Sequence, residues 1–309
     1  MAENRTAFSG PDPRLIGRRR FLRMAGMASV LAAGPAWAVD LFKMIDPEGK
    51  NKNLQKAKGL LEGTSSIIAS STEIDYNTEF SIGESLALEG FKRYGEPVDS
   101  KDFQEYVDVV GNAVARNSIR PEIPYYFVVV ESPLYNAFSC PGGIIFVSAA
   151  LVRNMADEAQ LACVLAHEVA HVGHKHALSA IKRAKFFEGV GKISDVTMKG
   201  EQGAQFRNMI GSLQTVLFDK GLDKEMEYQA DLSGMETAYR TGYDPAAFVG
   251  VLEMLRDRED TATIGGSWFS THPPLSSRLS RCREQMRQYP DAANLARVPT
   301  RFDKYKAMI

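Results

Sequence analysis

His167, Glu168 and His171 stand in the run His-Glu-Val-Ala-His, and four of the chain's five histidines fall between positions 167 and 176. Residues four apart on an α-helix lie one above the other on one face. His167 and His171 can therefore offer two ring nitrogens to a single metal ion. Glu168, one step round the helix, reaches the metal's water without taking a ligand position. A catalytic zinc keeps three protein ligands, leaves its fourth position to water and lowers the pKa of that water to about 7. The chemistry expected of this spacing, with one Zn2+ per chain, is amide hydrolysis. Glu168 takes a proton from the water, the metal polarises the scissile carbonyl, and the acid form of Glu168 protonates the leaving amine.

Such a site needs a helix under it. The stretch from Ala156 to Ala166 is rich in helix formers, and no Pro or Gly interrupts it before Gly173. Asp157 and Gln160 are spaced as a capping box. Leu161, Val164, Leu165, Val169 and Val172 form an apolar stripe at helical spacing.

The third ligand must come from elsewhere. The pattern that adds a third histidine ten residues after the first meets Ala177 here, which excludes that class. His174 and His176 lie too close along the chain to complete a tetrahedron with the other two. A second helix is the natural source, and the run from Asp223 to Gly234 places Glu227 and Asp231 four apart on one face. Glu227 would close the site as two histidines and a carboxylate. Asp231 would then accept the other ring N–H of a ligand histidine and fix its tautomer. A solvated acidic helix face with lysine partners is the competing reading, and spacing alone leaves both open.

Taken in order, several segments resemble the M48 zinc metallopeptidases, a family that includes the CAAX prenyl endopeptidases and a bacterial periplasmic branch. Asn136-Ala137-Phe138 followed by Pro141-Gly142-Gly143-Ile144-Ile145-Phe146-Val147 resembles the family's strand before its active-site helix. His167-Glu168-Val169-Ala170-His171 resembles its metal helix, and Glu227-Tyr228-Gln229-Ala230-Asp231 its ligand helix. Gly242-Tyr243-Asp244-Pro245 follows, and then His272-Pro273 with Arg278, similar to an H-P-x-x-x-x-R element. The resemblance spans about residues 76–290. It implies zinc at His167, His171 and Glu227, with Glu168 as catalytic base. It also implies catalytic roles beside the metal for His272 and Arg278, His272 as a residue that covers the metal at rest and Arg278 as a carbonyl or carboxylate binder, with an ordinary salt bridge on the last helix as the competing reading of Arg278.

Residues 1–38 read as an export signal. Arg18-Arg19-Arg20-Phe21-Leu22-Arg23 resembles a twin-arginine motif, a short Gly- and Ala-rich stretch follows, and Ala36-Trp37-Ala38 reads as a cleavage site. The expected location is the periplasm. The segment carries six arginines against Glu3 and Asp12, so with a whole-chain charge of −1 the rest is about −5. Nothing in that balance suggests nucleic acid as a partner. No other run reaches the ~18 apolar residues of a membrane span, so no transmembrane span is expected in the mature chain. Cys140, Cys163 and Cys282 leave an odd thiol. Cys163 reads as a small core residue, and Cys140 adjoins the Pro-Gly-Gly turn.

The fold expected around the site is α+β: a mostly helical, zincin-like peptidase domain over residues 76–309, with a small β-sheet beside the metal helix. Residues 39–75 read as an N-terminal helical arm. Asp75 to Tyr94 is a helix, and Pro97-Val98-Asp99-Ser100 opens another that carries Tyr106, Val109, Val110 and Ala113 on its apolar face. Tyr125–Val130 and Gly143–Val147 are strands of the buried type. Either Asn136–Phe138 or Gly142–Phe146 is expected to offer a free edge to an extended peptide. Residues 178–222, with five glycines between 189 and 211, read as a lid or insertion, with a membrane-surface helix and an exposed helical hairpin as rivals. No period of about 34 residues occurs, so the tetratricopeptide array of some relatives is not expected.

The function these readings converge on is an exported zinc-dependent endopeptidase. Unfolded or misassembled envelope proteins are its expected substrates, and the outer-membrane assembly machinery is an expected partner. The alternative is a metal-stabilised chaperone or assembly factor of the envelope with little proteolysis.

Overall fold

The computed structural model describes residues 74–183, 208, 210–258, 272 and 275–309. The export signal of residues 1–38, the helical arm up to residue 73 and the stretch 184–207 of the expected lid lie outside the described residues.

Asp75 caps the first helix, α1 (Tyr76–Tyr94), its side chain accepting from the backbone N–H groups of Asn77 and Thr78. Ser100 caps α2 (Lys101–Ala115) in the same manner. Phe103, Tyr106, Val107, Val110 and Val114 turn inward along α2, whereas Val109, expected on the apolar face, is 64% exposed. Three strands follow: β1 (Tyr126–Val130), β2 (Ala137–Cys140) and β3 (Ile144–Ser148). The short α3 (Ala149–Arg153) and then α4 (Glu158–Gly173) leave the sheet. After α5 (His176–Arg183) and a π-helical turn at Thr215–Lys220 come α6 (Lys224–Thr241), α7 (Ala246–Arg256), α8 (Leu275–Gln285) and α9 (Pro299–Lys306).

The sheet order is β1-β3-β2. β3 runs parallel to β1 and antiparallel to β2, with Phe138 opposite Phe146. The β2–β3 hairpin turns at Pro141-Gly142-Gly143. Gly142 has φ +79, and a Cβ there would lie 2.6 Å from Phe80 Cα, so the turn can lean against α1 only without a side chain. All three strands are buried on both faces, which is why they read as unbroken apolar runs. Phe127, Val129, Ile145 and Val147 join the core built on α2, α4, α6 and α7. Tyr126, Val128, Val130, Ile144 and Phe146 face α1 together with Leu213, Leu217 and Phe218. The described flanks of the expected lid are therefore packed against the sheet's second face.

Because β3 is central, Gly142–Phe146 cannot be the free edge, and that expectation is corrected. The outer edge of β1 is closed as well. Gln104 on α2 donates to Phe127 O at 2.7 Å and accepts from Val129 N at 2.9 Å, and Val98 N bonds Val129 O. Among the described residues no strand pairs with the outer edge of β2.

At its start α4 is fixed by charge. Asp157 caps it through Gln160 N at 2.9 Å, and Gln160 Oε1 reaches back to Ala156 N at 2.7 Å, one residue beyond the usual capping-box partner. The carboxylate of buried Glu158 accepts from Tyr106 at 2.8 Å, Tyr243 at 2.6 Å and Arg301 Nε at 2.6 Å. Arg297 bridges Asp157 and Asp244. Burial pushes the Glu158 carboxyl up, but Arg301 and the two tyrosines outweigh it, so it titrates below its ordinary range. Its stabilisation is therefore present above the unfolded value of about 4.3 and fades as pH falls through the lower folded one. Glu158→Ala strands two buried hydroxyls and is expected to cost about 1–3 kcal/mol for each. Urea unfolding at pH 7 should separate variant from wild type by that amount, and the gap should narrow below about pH 4. A gap that widens toward acid contradicts this account.

Candidate metal centre

Helix α4 lies against α6 along the seam that carries both motifs. At Gly234 an added Cβ would sit 2.9 Å from His167 N and 3.0 Å from His167 Cα, so the two helix backbones touch because that position has no side chain. This brings Glu227 and Asp231 of α6 to the face of His167 and His171. The two histidine Nε2 atoms are 3.0 Å apart. Glu227 Oε2 is 3.7 Å from His167 Nε2, and Glu227 Oε1 is 3.5 Å from His171 Nε2. With His272, one donor atom from each residue falls within 4.8 Å of the others.

These donors fit a cation. Neither carboxylate oxygen of Glu168 or Glu227 accepts a hydrogen bond, although both side chains are buried. Burial pushes Glu168 up to about 8, against weaker pulls from Ser139 and Arg278. It lifts Glu227 well above the carboxylate range, even with Arg278 Nη1 at 3.3 Å. Buried acids without donors are costly to ionise, and a divalent cation between them reverses that. Burial and the neighbouring histidines hold His171 far below the usual imidazole value, and His272 is held down by burial, His167 and Arg278. Neutral imidazoles are the form that binds metal.

Behind the donors lies a second tier of contacts. Asp231 Oδ1 is 3.0 Å from His167 Nδ1. Arg278 donates to both Asp231 oxygens, Nε at 2.9 Å and Nη2 at 2.6 Å, and through Nη1 to His272 O at 2.9 Å. Burial raises Asp231 and Arg278 lowers it, and the net is a carboxyl below its ordinary range. Arg278 was expected to meet a substrate carbonyl or carboxylate. Instead it is wholly buried, with each nitrogen occupied by these groups, and it stands behind the donors. His272 Nε2 lies 3.5 Å from Glu168 Oε1, in front of them.

In front of the donors is a cleft lined by Glu168, His171, His272, Phe138, Ser139 and Cys140 among others. Antiparallel pairing turns alternate residues of β2 toward β3. Ser148 N bonds Asn136 O, so in the register of the pair Phe138 and Cys140 also face β3, and the N–H and C=O of Ala137 and Ser139 point outward. All three cysteines are free and buried. Burial raises the thiols of Cys140 and Cys163, and Cys163 belongs to the core as expected.

Sequence reasoning missed three residues. Gly234 sets the helix spacing. Gln229 and His176 form a pair against His171: His176 Nδ1 is 2.9 Å from His171 Nδ1, and His176 Nε2 is 3.0 Å from Gln229 Oε1. The signal for His176 was Gly173. The metal helix stops there, Lys175 adopts φ +55, and a new helix starts at His176, which turns that ring back toward the metal face.

A buried cluster of two histidines and a glutamate, with an acid beside it and a cleft in front, has the donors and the base that a metalloendopeptidase needs. The sequence profile of peptidase family M48 matches residues 101–286, and the chain belongs to that family. It is 30% identical over 202 residues to a beta-barrel assembly-enhancing protease of Yersinia pestis, covering 62% of this chain and 41% of that protein. The Escherichia coli K12 protein of the same name is 27% identical, over 60% of this chain and 39% of its own length. The mitochondrial metalloendopeptidase OMA1 of Bos taurus is 29% identical over 51% of this chain and 31% of its own. The matched region thus spans about two fifths or less of each relative's length. Among the described residues no helix is long and apolar enough to cross a membrane.

Proposed function

We propose that this chain is an exported zinc endopeptidase that cleaves unfolded or misassembled proteins of the bacterial envelope. The reading rests on one observation: His167, His171 and Glu227 meet beside Glu168 at the floor of a cleft bordered by an edge of β2 that no strand among the described residues pairs with. His167, His171 and Glu227 would hold the zinc. When bound, it supplies a Lewis acid for the scissile carbonyl and lowers the pKa of a water. Glu168 takes the proton of the attacking water and returns it to the leaving amine. Asp231 keeps His167 in the tautomer that donates from Nδ1, and Arg278 neutralises Asp231 and faces Glu227, acting as a positioning residue. His272 is a fourth donor that covers the site at rest and yields to substrate.

An extended substrate adds to β2 through the outward groups of Ala137 and Ser139. Such backbone pairing ignores side-chain sequence and requires a segment free of its own fold, which favours unfolded substrates. The names of the Yersinia and Escherichia relatives support an envelope setting and a link to outer-membrane assembly. The arginine motif at residues 18–20 supports export to the periplasm by the twin-arginine route.

The test has two arms. Cell fractionation should find the chain in the periplasm. The purified, zinc-loaded protein should cleave a urea-denatured β-barrel protein and spare the same barrel folded in detergent. Chelation should stop cleavage, zinc should restore it, and His272→Ala should change the rate. Full zinc occupancy with suppressed aggregation and no cleavage would instead assign the chain to the chaperones. Equal rates for wild type and His272→Ala remove the covering role.

A further inference from the structure

We infer that His176, held by Gln229, is a positioning residue that fixes the ring of His171 for metal binding. The inference rests on the reading of His171 as a metal donor. His171 can give Nε2 to a metal only if its proton sits on Nδ1, and that N–H then needs an acceptor. His176 Nδ1 lies 2.9 Å from His171 Nδ1 and can be that acceptor. To accept, His176 must carry its own proton on Nε2, which is 3.0 Å from the side-chain oxygen of Gln229. The amide oxygen can only accept, so the direction of the whole chain is fixed. Gln229 accepts from His176, His176 accepts from His171, and the lone pair of His171 Nε2 is left facing His167 Nε2 and Glu227.

The geometry is built into the backbone. His176 is buried at the first position of α5, just after the turn at Lys175. Gln229 lies two residues after Glu227 on α6, so the helix that offers the carboxylate donor also offers the brace for His171. The two ligand histidines are braced differently. His167 is backed by the Asp231–Arg278 ion pair, and His171 by two neutral groups. Three acids already lie buried here, Glu168, Glu227 and Asp231, with Arg278 against two of them. A neutral brace orients His171 without adding a fourth buried negative charge.

The first test needs no variant. In the zinc-loaded wild type, nitrogen-15 NMR of the five histidine rings should find His171 protonated at Nδ1 and His176 at Nε2. His176 protonated at Nδ1 overturns the proposal. The second test titrates the metal-free full chain with Co2+ and reads its visible d–d bands. His176→Phe should weaken Co2+ binding by about 10–100-fold and shift the bands. His176→Asn places an amide oxygen near the site of Nδ1 and should recover most of the affinity. Wild-type affinity and bands in His176→Phe overturn the inference, as does failure of the asparagine variant to recover binding while it melts like wild type. His171→Ala separates the two readings. If it binds Co2+ as tightly as wild type, His171 is no donor and the reading beneath the inference falls. If it loses Co2+ while His176→Phe keeps it, the brace alone falls.

Discussion

Glu168→Gln is expected to lower turnover of a peptide substrate by roughly 10²–10⁴-fold, the usual contribution of a positioned acid–base group, and to leave the metal bound. The substitution keeps shape and burial and removes the proton acceptor. Glu168 lines the cleft, its oxygens accept no hydrogen bond from the protein, and its neighbours on the helix are the histidines. A group with that freedom can exchange a proton with water, whereas Asp231, gripped by Arg278, cannot. The measurement is kcat with a quenched fluorescent peptide, together with zinc content per chain by elemental analysis. A variant that loses zinc along with activity would make Glu168 a donor. One that keeps more than a tenth of wild-type turnover would require another base.

Arg278→Met carries the largest expected effect on stability, about 3–5 kcal/mol in urea unfolding, because it leaves the buried Asp231 carboxylate without its cation. Arg278 has no solvent exposure and contacts Asp231, Glu227 and the His272 carbonyl. The loss should be strongly non-additive. In an Arg278→Met/Asp231→Asn double variant most of the stability should return, since the stranded charge is gone. Metal affinity should stay low in the double variant, because His167 then lacks a charged acceptor. Additive losses would mean that the guanidinium matters for its packing and not for its pairing.

The metal helix was legible in the sequence because its signals are local: the spacing of His167 and His171, the Asp157–Gln160 cap and the apolar stripe. The Glu227–Asp231 spacing was equally visible, yet a solvated acidic face has the same period. Only the tertiary approach of α6 to α4 at Gly234 distinguishes the two. The sheet order was not legible. β1, β2 and β3 are all buried, so none carries the alternation that would mark an edge, and the sequence reading could not tell that β3 lies in the middle. Val109 was misplaced because a β-branched apolar residue at helical spacing carries no label of depth. Arg278 was legible as a site residue but not in its orientation, because a guanidinium suits a substrate carboxylate and an internal one equally well. His176 lies too close along the chain to complete the tetrahedron as a ligand, and ligand spacing carries no signal for a residue that stands behind a ligand.

The arginines at 297 and 301, which neutralise Asp157 and Glu158 at the start of the metal helix, have a consequence for biosynthesis. Translation delivers His167 and His171 roughly 130 residues before these partners. Until then the base of that helix holds acids with no counterion, and its seat in the core is incomplete. The seat of the metal helix in the core is thereby completed only by residues that emerge long after the helix itself, so the cluster it carries matures late relative to its own synthesis.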